Sequence, residues 1–262
     1  MEKKEWYLEY EIQKNRPGLL GDISSLLGML SINIVTINGI EGRRGLLIKA
    51  KDDEQILRLE SILNTMDTIK IIKLREPKLR DRLAVRHGRY IQRDADDKKT
   101  FRFVREDLGI LVDFMAELMK QEGHKLIGIR GMPRVGKTES IVAASVCASK
   151  RWLFVSSTLL KQTIRNQLIE EEYNENNLFI IDGIVSTRRA NEKHWQLVRE
   201  IMRMPTVKVV EHPDVFIRNT EYTMNHFDYI IELRNKPDEE ITYDLVEDKN
   251  MFSASDFGGF DF

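Results

Sequence analysis

Eight residues constrain this chain more than any others: Gly131-Met132-Pro133-Arg134-Val135-Gly136-Lys137-Thr138 satisfies G-x-x-x-x-G-K-[ST] at every fixed position. They follow a short, mostly apolar run, Lys125 to Arg130, and precede Glu139 to Ser149, a small-residue stretch compatible with a helix. Strand, loop and helix thus occur in the order that a phosphate-binding turn requires. Glycines at 131 and 136 let the backbone bend with no Cβ in the way, and amides of a loop entering a helix N-terminus converge on an anion. In this chemistry the loop from Gly131 through Arg134, Val135 and Gly136 to Glu139 cradles phosphate. Lys137 bridges the outer phosphate oxygens, and Thr138 offers its hydroxyl to Mg²⁺.

A metal site needs a second anchor. Leu178-Phe179-Ile180-Ile181-Asp182, four apolar residues and then an acid, supplies it some 45 residues after the loop. Trp152 to Val155, Val207 to Val210 and Tyr229 to Leu233 are three further candidate strands, and Leu108, Leu111, Val112, Met115, Leu118 and Met119 mark one helix face. Five strands separated by helical stretches predict a doubly wound, mostly parallel α/β sheet that binds at the carboxyl ends of its strands. Residues 106–235 resemble a P-loop NTPase, and the resemblance implies ATP or GTP with Mg²⁺ as ligands. Many such ATPases carry Glu directly after the strand-terminal Asp; this chain has Gly183. Glu139 or Glu211 then orients the water, or the nucleophile is a substrate hydroxyl as in a small-molecule kinase, or hydrolysis is slow. Arg188 and Arg189, just past Asp182, reach a γ-phosphate if their segment folds inward; otherwise they open a solvent-facing helix. His194 and His212 have no companions at metal-ligand spacing and read as structural. Cys147 is expected on the buried side of the helix after the loop.

The N-terminal third has a different rhythm. Trp6, Leu8, Tyr10 and Ile12 alternate with polar residues, and Asn15-Arg16-Pro17-Gly18 is turn chemistry. Leu19, Leu20, Ile23, Leu26, Leu27 and Leu30 then form a helical stripe. A hairpin follows at Asn33 to Ala50, broken by Glu41 to Gly45, then a second helix through Ile56, Leu59, Ile62, Leu63 and Met66, and a strand through Ile69, Ile71 and Ile72. The order β-α-β-β-α-β predicts a ferredoxin-like, four-stranded antiparallel sheet with two helices on one face. Together with the Arg-Pro-Gly-Leu-Leu junction and Asn33-Ile34, residues 1–75 resemble an ACT domain, a regulatory module of amino-acid metabolism. The resemblance implies side-by-side homodimers and an amino acid held by the turn, here Asn15, Pro17, Gly18 and Leu19. Family members often have Asp where this chain has Asn15. The whole chain resembles an uncharacterised bacterial family that joins these two modules.

Charge is unevenly spread. Residues 73–105 hold twelve bases against five acids, and Lys236 to Phe262 holds eight acids against two bases, although the net charge is only -1. Residues 76–105 read as a basic linker, with a nucleic-acid contact as the functional alternative. Residues 236–262 read as an acidic disordered tail whose phenylalanines suit a protein partner or the basic stretch of the same chain. One cysteine, no signal-peptide pattern and no apolar run of membrane-spanning length favour a cytoplasmic protein. The reading is a regulatory nucleotide-binding protein, an NTPase or a kinase, with a non-enzymatic adaptor as the third possibility.

Overall fold

The computed structural model describes residues 4–160 and 163–241. Its first sheet is built from β1 (Lys4–Ile12), β2 (Asn33–Ile40), β3 (Arg43–Ala50) and β4 (Ile69–Arg75), ordered β2-β3-β1-β4 and antiparallel throughout. Helices α1 (Leu19–Met29) and α2 (Asp53–Thr65) fill the two crossovers. Gly18, at φ +84°, makes the left-handed turn into α1, and Asp52 caps α2 by accepting from the Gln55 amide at 2.9 Å. Leu8 and Tyr10 of β1 pack with Ile23, Leu27, Leu59 and Leu63 of the helices. That much follows from period-two strands laid on period-3.6 helices.

The segment read as a basic linker is instead structured. After β4 the chain forms α3 (Leu79–His87), β5 (Gln92–Arg93) and β6 (Thr100–Val104). Ala84 and Val85 of α3 cover the other face of the antiparallel sheet against Tyr7, Ile40 and Leu47, while Leu83 enters the core of the second unit. The basic residues Arg80, Arg82 and Arg86 lie on the exposed side between these contacts, Arg82 paired with Glu5, Arg86 with Asp113 and Arg80 over the Tyr90 ring. Glu9, on the covered face, is completely buried and accepts from Tyr7, Lys73, Arg43 and Tyr90. Burial alone would raise the Glu9 carboxyl; hydrogen bonds from Lys73, Tyr90 and Arg43 outweigh it and hold it down at about 2.

The second sheet adds α4 (Leu108–Met119), β7 (Lys125–Gly131), α5 (Lys137–Cys147), β8 (Arg151–Phe154) and the short ribbon strands β9 (Ser156–Ser157) and β10 (Thr163–Ile164). Then come β11 (Asn177–Asp182), α6 (Gly183–Arg189), α7 (Glu192–Arg203), β12 (Val207–Glu211), α8 (Pro213–Arg218) and β13 (Tyr229–Arg234). Seven strands run in the order β5-β6-β13-β7-β12-β11-β8, all parallel except β5 against β6. The two beyond the five read from sequence come from the supposed linker. Helices α4 and α5 cover one face through Leu111, Met115, Ile141 and Ala144; α7 and α8 cover the other through Leu197, Ile201 and Phe216. The molecule is thus mixed α/β, with one four-stranded antiparallel sheet, one mostly parallel sheet and the two-stranded antiparallel ribbon β9-β10.

Cys147 corrects the sequence reading. It is exposed, because α5 buries Ile141, Ala144 and Ser145, and position 147 falls outside that stripe. Of the tail, residues 242–262 lie outside the described residues. Among the described residues no helix is long and apolar enough to cross a membrane.

Candidate functional site

Strand β7 delivers the glycine loop at its carboxyl end, between β12 and β13. A Cβ on Gly131 would lie 2.5 Å from the Leu233 carbonyl oxygen of β13, so the close approach of these two strands requires glycine. Arg134 turns the loop at φ +61°, and Gly136, at φ +108°, turns it into α5. Glu139 is exposed in the first helical turn. From outside, Arg105 donates to the Arg134 carbonyl at 3.3 Å.

Lys137 is buried, and its ammonium donates to the carbonyls of Gly131 and Met132, both at 2.9 Å. Burial lowers its pKa, opposed by the charges of Glu211, Asp182 and Glu139. Thr138 Oγ1 donates to Glu211 Oε1 at 2.5 Å. The register aligns Ile129, Glu211 and Asp182 across β7, β12 and β11, so Asp182 stands two strand spacings from the loop strand, about 10 Å. The acid beside the threonine is Glu211, which burial pushes up to about 7 despite the Thr138 hydrogen bond. Asp182 is also buried and raised by burial, opposed by the amides of Val185 and Ile184 that it caps at 3.1 and 2.9 Å.

Gly183 explains the missing glutamate. A Cβ there would fall 2.8 Å from the His212 carbonyl oxygen and 2.9 Å from that of Glu211, so no larger residue fits without moving backbone. Behind Asp182, Ser156 Oγ accepts from the Asp182 amide at 2.8 Å and meets Ser186 at 2.8 Å, which meets His194 Nε2 at 3.0 Å. His194 Nδ1 donates to the Arg165 carbonyl at 2.7 Å, and burial lowers its pKa. His194 is a buried prop for β11. His212 starts α8 at φ +56°; burial, aided by the Lys137 charge, lowers it to about 3.

Arg188 and Arg189 lie exposed in the last turn of α6, roughly 9 Å along the helix from its capped end, with no hydrogen bond or ion pair among the described residues. The structure brings Gly131, Arg134, Val135, Gly136, Lys137 and Thr138 into one loop and sets Asp182 near it, but does not bring these arginines to it. In the antiparallel unit, Asn15, Pro17 and Gly18 are exposed and Leu19 is buried. With Tyr10, Arg16 and Arg44 they surround a shallow pocket of about 190 Å³, Pro17 standing outside its lining.

One contact was weakly legible. Glu211 ends an apolar strand as Asp182 does, but Lys208 interrupts that run, and only strand order sets Glu211 beside Thr138. The Thr138 hydroxyl and the Asp182 and Glu211 carboxylates are hard oxygen donors, of the kind a divalent cation such as Mg²⁺ takes.

Residues 71–260 match DUF3388, described as a protein of unknown function. The chain is 76% identical over 261 residues to "Uncharacterized protein YmfK" of Bacillus subtilis (strain 168), covering 99% of this chain and 97% of that protein. The family match opens within β4, so α3, β5 and β6 fall inside it together with the parallel sheet. The chain belongs to the DUF3388 family.

Proposed function

We propose that the loop from Gly131 to Thr138 holds the phosphates of Mg-ATP or Mg-GTP, that the parallel unit is a P-loop NTPase, and that the antiparallel unit is an ACT-like sensing or dimerisation module. The observation that carries the reading is Lys137: a buried ammonium at the start of α5, hydrogen-bonded among the described residues to two loop carbonyls that it can exchange for phosphate oxygens. When bound, Mg²⁺ supplies charge neutralisation at those oxygens. Thr138 and Asp182 are the residues to hold it. Glu211, with a proton affinity near neutrality, takes the proton of an attacking water, the task for which Gly183 leaves no side chain.

Equilibrium titration tests the binding. Lys137→Ala lowers affinity for both Mg-nucleotides by roughly 10–100-fold, the worth of a charge-assisted hydrogen bond; unchanged affinity ends the reading. Phosphate release without any added acceptor, absent in Lys137→Ala, separates the NTPase from a small-molecule kinase.

For the antiparallel unit, the Gly18 turn and the exposed Val35 on edge strand β2 support side-by-side pairing of two chains with an amino acid at the turn. Thermal-shift screening of the common amino acids should single out one or a few. A flat response reduces this unit to a dimerisation module, and a monomer by sedimentation removes that as well.

A further inference from the structure

A cavity of about 280 Å³ lies between the two units, away from the loop. Its walls come from the segment after α3, from β6 and the start of α4, from the end of β13 and, on the antiparallel side, from Glu41 in the β2–β3 turn. Three guanidiniums line it, and their counter-charges are unevenly shared. Arg89 pairs with Asp107, and Arg102 with Asp94. Glu232 is divided among Arg102, Arg130 and Arg234 at 3.1, 3.3 and 2.9 Å. Arg130 also holds Asp214 at 2.7 Å, and Arg234 feels the charge of Glu239 besides its share of Glu232. One Arg234 terminal nitrogen donates to the Pro237 carbonyl at 3.2 Å, while Nε is buried with no acceptor. Nε has no open surface, so a ligand oxygen would reach Arg234 through the part of its side chain that stays exposed.

Beside this charge the wall is apolar: Phe103 and Ile110 are buried and Ile91 is half-buried. The geometry points to a binding site for a small organic carboxylate, its anionic end on Arg234 and its hydrocarbon body on Phe103, Ile91 and Ile110, coupled to the glycine loop. A phosphate dianion would meet Glu41 and Asp107 in the same wall. The volume takes a molecule about the size of an amino acid.

The coupling is short-range and rests on the nucleotide reading above. Arg234 follows Leu233, whose carbonyl sets the clearance at Gly131. Phe103 and Val104 lead into Arg105, which donates to the Arg134 carbonyl. Leu108, in the first turn of α4 below Ile110, would lie 3.6 Å from a Cβ at Gly136. A ligand that tightens these walls favours one arrangement of the loop, and nucleotide favours the ligand in return.

Calorimetric titration of the full chain compares phenylacetate and 4-methylvalerate with the uncharged amide of each. The acids bind roughly 10-fold or more tighter than the amides. Arg234→Gln removes that preference, and Ile91→Trp, which fills the cavity from a half-buried position, abolishes binding with the melting temperature retained. No binding by any of the four compounds, equal binding of acid and amide, or binding retained in Ile91→Trp overturns the site. These comparisons decide even where Arg234→Gln does not fold. Affinity for Mg-ATP is then measured with and without saturating phenylacetate. A shift of roughly 5-fold or more is expected; no shift overturns the coupling. A chain that takes the acid but no nucleotide overturns the loop reading and leaves the carboxylate site standing.

Discussion

At the scale of single residues, Glu9 contradicts the alternation around it. Its strand places Trp6, Leu8, Tyr10 and Ile12 on the helix side, so position 9 should face water, yet α3 and Tyr90 close over it. The folded carboxyl is held at about 2, against an ordinary 4.5. A depressed acid contributes stability that is complete above 4.5 and is lost as pH falls toward 2. With Arg43 half exposed, the contribution is discounted to about 2 kcal/mol at neutral pH. Denaturant titration of Glu9→Gln should show that deficit at pH 7 and a smaller one at pH 3. A gap that stays constant would make the loss one of packing alone. Lys137 and Thr138 were legible because their chemistry is contiguous in sequence. Glu9 was not, and Glu211 only weakly, because what covers the first and what neighbours the second is decided by other elements.

At the scale of elements, α3 is the informative one. Its nine residues bury Leu83 toward one unit and Ala84 and Val85 toward the other, so no single apolar stripe forms, and three arginines dilute what remains. Helices α1, α4 and α7 each bury one face, and periodicity finds them. Leu83→Ala should cost about 2–5 kcal/mol in unfolding free energy, as a buried leucine truncation does. Hydrogen exchange should quicken in α3 and in the neighbouring part of α4. Arg82→Ala, which removes a partly exposed pair with Glu5, should cost under about 1 kcal/mol. Equal costs for the two substitutions would mean that α3 is not the element joining the units.

At the scale of the molecule, composition and periodicity give two sheets of opposite character but not the strand order, which depends on pairings between distant segments. The parallel sheet is wider than its sequence pattern suggests because β6, embedded in charged sequence, pairs with β13. That pairing also orders events during synthesis. β6 is made some 125 residues before the strand it joins, and β7, which carries the glycine loop, waits for both of its neighbours, β12 and β13. At roughly 5–20 residues per second, β6 is without its partner for between about 6 and 25 seconds. The antiparallel unit, whose strands all precede Glu76, can close in the meantime. The loop is therefore among the earlier parts of its sheet to leave the ribosome and among the last to gain its shape. Until β12 emerges both edges of β7 stand open to any other strand in the cell, and one edge stays open until β13 follows.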